Sequence, residues 1–250
     1  MMSTSENRNL QQTRKLNSEN SQINNVILSR LTENEYKELL PDLQFVEMKS
    51  HAIIHRPHER AEYVYFPENS LISTVTVFED GTSVETGCIG RQGTTGATIA
   101  LSKKQSPRES VVQIPGEAWR IKADRFQAAL KREGLLAQLV SEFIFAFLME
   151  AAQCAACNSH HDISARLAKW LLISSYKTGR NEFHLTQDFI AQMLGVHRPG
   201  VTLVAINLKE AGLINYRRGL ITIIDKEGLE DVTCECYEAI KSQYESYATV

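Results

Sequence analysis

The chain has 250 residues, 43% hydrophobic and 23% charged, with 27 Lys and Arg against 30 Asp and Glu for a net charge of -3. This balance excludes a disordered, collagen-like or supercharged polypeptide and fits two modest domains, each able to bury its own core. The longest apolar stretch, Leu135 to Ala156, is interrupted by Gln138, Ser141, Glu142, Glu150 and Gln153, so no membrane span and no membrane partner are expected.

Residues 1–25 are rich in Ser, Asn, Gln and charge, lack the apolar core of a secretory signal, and read as a disordered leader. The five cysteines, Cys88, Cys154, Cys157, Cys234 and Cys236, are odd in number and follow no signal, which argues for reduced thiols and a cytoplasmic protein. From Phe45 to Ile121 short β-favouring runs alternate with turn signals (LISTVTVF-EDG, TSVETGCI-GRQG, SVVQI-PGE), the pattern of a compact all-β module within residues 26–134. Asp124 is a candidate N-cap for a short helix ending near Gly134.

A longer helix is expected over residues 135–158. Ala137, Val140, Ile144, Phe147, Ala151 and Cys154 are spaced 3, 4, 3, 4 and 3, while Leu136, Leu139 and Phe143 form a second apolar face. One face can pack on the β-module and the other on a twin helix, which makes Val140, Ile144, Phe147, Ala151 and Cys154 the candidate dimer interface. The plainer alternative is a single wide stripe buried within a monomer. Asn158 to Asp162 then break the pattern, and Asp162 can cap the next helix in a unit spanning 159–250.

The most specific stretch is LTQDFIAQMLGVHRPGVTLVAINLKEAGLI, residues 185–214. Thr186 can cap a first helix, Gly195 supplies a tight turn, and a second helix buries Val201, Val204, Ala205 and Leu208 while exposing its N-terminal half: a helix-turn-helix. NYRRGLITII, residues 215–224, follows as a hairpin with Arg217 and Arg218 at its turn, placed to touch phosphate. Residues 160–224 carry eight Lys and Arg against four Asp and Glu, +4 with His neutral, whereas the tail from Asp225 is at -5. A positive segment in an acidic chain suggests a polyanion partner, although a solvated face would look similar.

On these motifs the chain resembles the Crp/Fnr superfamily of transcription regulators: HDISARLAKWLL is similar to the family's entry helix, TQDFIAQMLGVHRPGV to its helix-turn-helix, AGLI to its exit into the wing, and VYFPENSLISTV, DGTSVETGCIGRQGTTG and VVQIPGEAWRI to its β-roll. The resemblance implies an α+β protein with an N-terminal β-roll (a jelly-roll-like domain related to cyclic-nucleotide-binding domains), a long dimerisation helix and a C-terminal winged helix-turn-helix. It also implies a homodimer on two-fold symmetric double-stranded DNA, with RNA polymerase a further candidate partner. Base contacts would fall to Arg198, with His197 and Thr202, and phosphate contacts to Thr186, Gln187, Arg217 and Arg218.

Two departures from the family pattern matter. Its cyclic-nucleotide binders carry Gly-Glu-x-Ala/Leu and a downstream Arg-Ser/Thr; here the region reads Gly90-Arg91-Gln92-Gly93-Thr94-Thr95-Gly96, then Pro107-Arg108-Glu109-Ser110. Neither cyclic AMP nor cyclic GMP is therefore expected, and Thr94, Thr95, Arg108 and Ser110 remain the candidate lining of a pocket for an unnamed effector, if one exists. The recognition helix reads Arg198-Pro199-Gly200-Val201-Thr202-Leu203 where many members have Arg-Glu-x-x-x-Arg, so their operator does not transfer. Pro199 and Leu203 also keep open a ligand-sensing or protein-interaction module with weakened DNA binding.

Cys154-x-x-Cys157-x-x-His160-His161 could hold zinc or act as a redox switch; the plainer reading is buried thiols and solvated histidines, and no metal site is assigned. The same holds for His51, His55 and His58, while Cys234 and Cys236 are expected to pack without chemistry. No cysteine precedes Cys88, so an Fnr-type iron-sulfur cluster is not expected. No G-x-S-x-G, Walker A or H-E-x-x-H occurs, and the chain is read as no enzyme, with no catalytic residues and no cofactor.

Overall fold

The structure, a computed structural model, describes residues 23–101, 105–106 and 108–248. Residues 1–22 of the expected leader lie outside the described residues, and its boundary at 25 needs correction. Asn25 is fully buried: its side-chain amide donates to the carbonyls of Pro67 and Gly93, both at 3.0 Å, and its Oδ1 accepts from Leu28 N to cap helix α1 (Val26–Arg30). The folded unit thus begins before residue 26. Helix α2 (Glu33–Leu39) follows, opened by a capping box between Thr32 and Glu35.

The β-roll pairs two antiparallel sheets. One is ordered β1 (Gln44–Met48), β7 (Gly116–Lys122), β3 (Tyr63–Pro67); the other β2 (Ile53–His55), β6 (Glu109–Ile114), β4 (Leu71–Val77), β5 (Ser83–Ile89). Val64, Phe66, Leu71, Ile72, Val112, Ile114 and Ile121 close the core between them. The Asp80-Gly81 turn joins β4 to β5 as the EDG signal predicts. After a single turn, α3 (Ala97–Ala100), helix α4 (Ala123–Leu130) starts from an N-cap at Lys122, so Asp124 sits inside the first turn and does not cap it.

A buried polar cluster lies on the four-stranded sheet. Ser73 Oγ is 2.6 Å from Glu85 Oε2 and 2.5 Å from Gln113 Oε1, and Trp170 Nε1 donates to Glu85 Oε1 at 3.2 Å. Burial raises the Glu85 pKa above its ordinary 4.5, against the lowering effect of those two donors. A carboxyl raised in this way favours folding while protonated, and that contribution fades as pH rises through the folded-state value. Glu85→Gln is expected to flatten the pH dependence of stability above pH 4.5 and to gain relative stability at neutral pH; pH-resolved thermal melts check this.

Helix α5 (Leu135–His160) continues two residues past the expected end and crosses the β-roll. Its length and mean hydropathy would by themselves admit a bilayer span, as they do for many core helices. Its use here is a packing one: Leu136, Leu139, Val140, Phe143 and Ala146 are buried within the chain, and so is Glu150. Helix α6 (Ile163–Thr178) begins at Asp162, whose side chain accepts from Ala165 N at 2.9 Å. After strand β8 (Glu182–His184) come α7 (Gln187–Leu194), α8 (Arg198–Glu210), strands β9 (Ile214–Arg217) and β10 (Leu220–Ile223), and α9 (Lys226–Asp231). Helix α10 (Cys236–Ala248), unforeseen in the acidic tail, lies along α5 and α6 and buries Tyr237, Ile240, Tyr244 and Tyr247.

Candidate nucleic-acid interface

Thr186 Oγ1 accepts from Phe189 N at 3.2 Å and starts α7; Ile190, Ala191, Met193 and Leu194 turn inward. Gly195 then takes φ 62°, a left-handed conformation that glycine adopts without steric cost. The chain bends by 110° into α8, inside the roughly 90–120° range of helix-turn-helix pairs. Pro199 stands in the first turn of α8, where its missing N–H breaks no helical bond, and Val201, Ala205 and Leu208 are buried.

The outer face of α8 presents His197, Arg198, Leu203, Ile206 and Asn207. Arg198 Nη1 lies 3.3 Å from Asp188 Oδ2 on α7, an exposed ion pair that aims the guanidinium across the turn. Thr202 is less available than the sequence suggests: half-buried, its hydroxyl donates to Gln187 Oε1 at 2.6 Å and lies 3.1 Å from Arg198 O. Asp188 and the exposed Ile206 and Asn207 were missed; the spacing of 188 to 198 carries no signal before two helices cross.

The wing is sheet β8-β10-β9. Arg218 (φ 52°) and Gly219 (φ 81°) form its turn, leaving Arg217 and Arg218 exposed at the tip. Three of the eight basic residues counted between His160 and Ile224 are not at the surface: Arg166, Lys169 and Lys177 are 8%, 6% and 1% exposed. Arg166 is spent on the carbonyl of Leu194 at the end of α7. All four acidic residues of that segment are exposed, so its surface excess falls from +4 to +1. The exposed bases that remain are Arg180, Arg198, Lys209, Arg217 and Arg218; Arg198 is paired with Asp188, and Arg217 and Arg218 stand together at the wing tip.

Within the protomer the expected dimer seam is partly covered, at Val140 most completely. Val140 is 1% exposed, the Phe147 ring packs over Gly87 of β5, and Ile144, Ala151 and Cys154 are half-buried. The face that α5 leaves open is Ser141, Phe145, Leu148, Ala152, Ala155 and Ser159, spaced 4, 3, 4, 3 and 4, with Phe145 and Leu148 each 59% exposed.

Of the candidate effector residues, the two threonines meet the backbone of Tyr65. Thr94, fully buried, donates to the carbonyl of Tyr65; Thr95 Oγ1 accepts from Tyr65 N at 2.9 Å; Ser110 is buried in β6 and Arg108 is half-buried just before it. The nearby glycines serve close packing: a Cβ on Gly90 would lie 2.5 Å from the Lys177 carbonyl, and one on Gly93 2.1 Å from the Phe143 ring. His51 and His58 occupy left-handed turn positions, and His55 Nε2 lies 2.9 Å from the Tyr63 carbonyl. Burial raises the Cys154 thiol to about 11 although Lys169 pulls it down, so a thiolate switch there is disfavoured.

Comparison with known proteins matches residues 165–232 to the Crp-like helix-turn-helix domain. Among similar characterised proteins is a global nitrogen regulator from Synechocystis, 24% identical over 195 residues covering 74% of this chain and 86% of that protein. A second global nitrogen regulator, from Synechococcus elongatus, is 22% identical over 75% of this chain and 88% of its own length. Solved structures of the same fold include a Crp/Fnr-family transcriptional regulator from Eubacterium rectale (TM-score 0.61, 20% identity, 81% of this chain and 94% of that one). FixK2 from Bradyrhizobium japonicum is another (TM-score 0.62, 14% identity, 77% and 98%).

Proposed function

We propose, from the premise that the chain is a DNA-binding transcription regulator of the Crp/Fnr type, that it acts as a homodimer whose two α8 helices enter successive major grooves of a two-fold symmetric site. The observation that carries this reading is the 110° α7–Gly195–α8 unit with Arg198 at the open end of α8 and Arg217 and Arg218 at the wing tip. Arg198 reads a guanine edge after exchanging Asp188 for the base. Thr202 braces Gln187, and the wing arginines hold phosphate without reading sequence.

The exposed stripe of α5 joins the two copies, and small Ala152 and Ala155 permit close approach at the hinge end. The β-roll loop around Gly90 to Gly96 is a packing joint between sheet and helices; this supports a regulator without a cyclic nucleotide. Such a regulator acts on the chromosome in the bacterial cytoplasm and needs no catalytic step, and activation would need an additional surface for RNA polymerase.

The test is selection of sites from a random DNA pool, with Arg198→Ala alongside. An inverted repeat is expected for the parent chain. The variant should lose about 1–3 kcal/mol of base discrimination per half-site, roughly 30-fold to 10⁴-fold over two. Replacing Arg217 and Arg218 with Ala should instead weaken all sequences alike and shallow the salt dependence. Loss of sequence preference from the wing variant, with Arg198→Ala unaffected, would overturn the assignment.

A further inference from the structure

We propose that Cys157, His161, Cys234 and Cys236 form a structural zinc site that clamps the end of α5, the hinge and the start of α10. The sulfur atoms and an imidazole nitrogen of these residues all lie within 4.8 Å of one another. Cys157 Sγ is 3.7 Å from Cys234 Sγ, and Cys236 Sγ is 3.7 Å from His161 Nδ1. In a tetrahedron with Zn–S of about 2.3 Å and Zn–N of about 2.0–2.1 Å, such pairs stand about 3.8 Å and 3.5 Å apart. The donor set is complete at four, soft in character and closed, as structural zinc requires.

The surroundings are those of a metal shell. Glu235 Oε2 lies 3.2 Å from His161 Nε2, so the N–H of that ring nitrogen points at the carboxylate and leaves Nδ1 free as a ligand. Gln153 Nε2 donates to Cys236 Sγ at 3.1 Å, and Lys169 Nζ to Cys157 Sγ at 3.3 Å. Zinc with three thiolates and one neutral imidazole carries a net charge of -1, and the buried Lys169 ammonium balances it. Cys157, Cys234 and Cys236 are 0%, 6% and 1% exposed, and His161 closes the more open side.

The four ligands come from two places far apart in sequence. Cys157 and His161 stand one helical turn apart at the end of α5, immediately before the Asp162 cap of α6; Cys234 and Cys236 begin the α10 segment. Cys154, which the sequence offers as a partner of Cys157, is outside the set. Bound metal would hold the hinge between the dimer helix and the DNA-binding unit at one angle, and would staple the C-terminal helix to both.

The experiment uses the reduced full chain, measuring zinc content and, after exchange, the visible absorption of bound cobalt(II), with no DNA present. One zinc per chain and the intense bands of tetrahedral thiolate-bound cobalt are expected. Cys154→Ser should retain both, and Cys234→Ser with Cys236→Ser should lose both. Glu235→Gln, a change at an exposed side chain that leaves the thiols intact, should weaken zinc binding by about 10- to 100-fold. A folded, fully reduced parent chain that takes up neither metal overturns the proposal, and so does a Cys154→Ser variant that loses metal as completely as the Cys234 and Cys236 pair. Because the readout excludes DNA, failure here leaves the DNA-binding assignment standing, and failure of site selection leaves the metal site standing.

Discussion

Glu150→Ala is expected to be the most destabilising single change considered, costing about 3–5 kcal/mol of a total of roughly 5–15. Glu150 Oε2 accepts from Lys177 Nζ at 2.6 Å, with both side chains at most 3% exposed, and also from the hydroxyl of Tyr244. Lys177 in turn donates to the Cys88 carbonyl, lies 3.3 Å from the Tyr244 hydroxyl, and sits 4.4 Å from the centre of its ring. One ion pair thus joins β5, α5, α6 and α10. Removing the carboxylate leaves an ammonium in the core with only dipoles and a π-face as partners.

Urea denaturation of Glu150→Ala, Lys177→Met and the double variant Glu150→Leu with Lys177→Met resolves the cause. If the stranded charge is responsible, each single variant loses several kcal/mol while the double variant, with apolar groups of similar volume, lies much closer to the parent. Additive losses would show that packing, not charge, sets the cost.

If the proposed homodimer forms through the open stripe of α5, Leu148→Glu is expected to separate it and to lower affinity for an inverted-repeat site by about 10²- to 10⁴-fold, the usual advantage of two linked half-sites over one. Under a two-fold axis each copy meets its equivalent, so one substitution places like charges face to face on an apolar seam. Sedimentation equilibrium gives the oligomeric state and fluorescence anisotropy the affinity. Val140→Ala is the control for register: with Val140 1% exposed inside the protomer, it should cost about 1–3 kcal/mol of stability and leave association unchanged. A monomeric Val140→Ala and a dimeric Leu148→Glu would restore the seam through Val140, Ile144 and Phe147.

Much of the DNA-binding unit was legible residue by residue. The caps at Asp162 and Thr186, the left-handed Gly195, Pro199 in a first turn and the Arg218-Gly219 turn each act through a bond or dihedral spanning three or four residues, so the chain carries them before it folds. The Asp80-Gly81 hairpin belongs with them.

What the sequence left open shares a different physics. A helix as apolar all round as α5 has no intrinsic inner face; the β-roll and α10 cover one side and thereby leave Phe145 and Leu148 outside. Formal charge says nothing about exposure, so Arg166, Lys169 and Lys177 counted toward DNA until folding buried them. Thr94 and Thr95 could line a pocket on paper, yet their hydroxyls meet the Tyr65 backbone first. Cys157 and Cys234, 77 residues apart, become neighbours only because α10 returns along α5. Local hydrogen bonds and dihedral preferences are written in short stretches of chain, whereas burial, register and clusters of distant side chains depend on which surfaces the whole fold brings together.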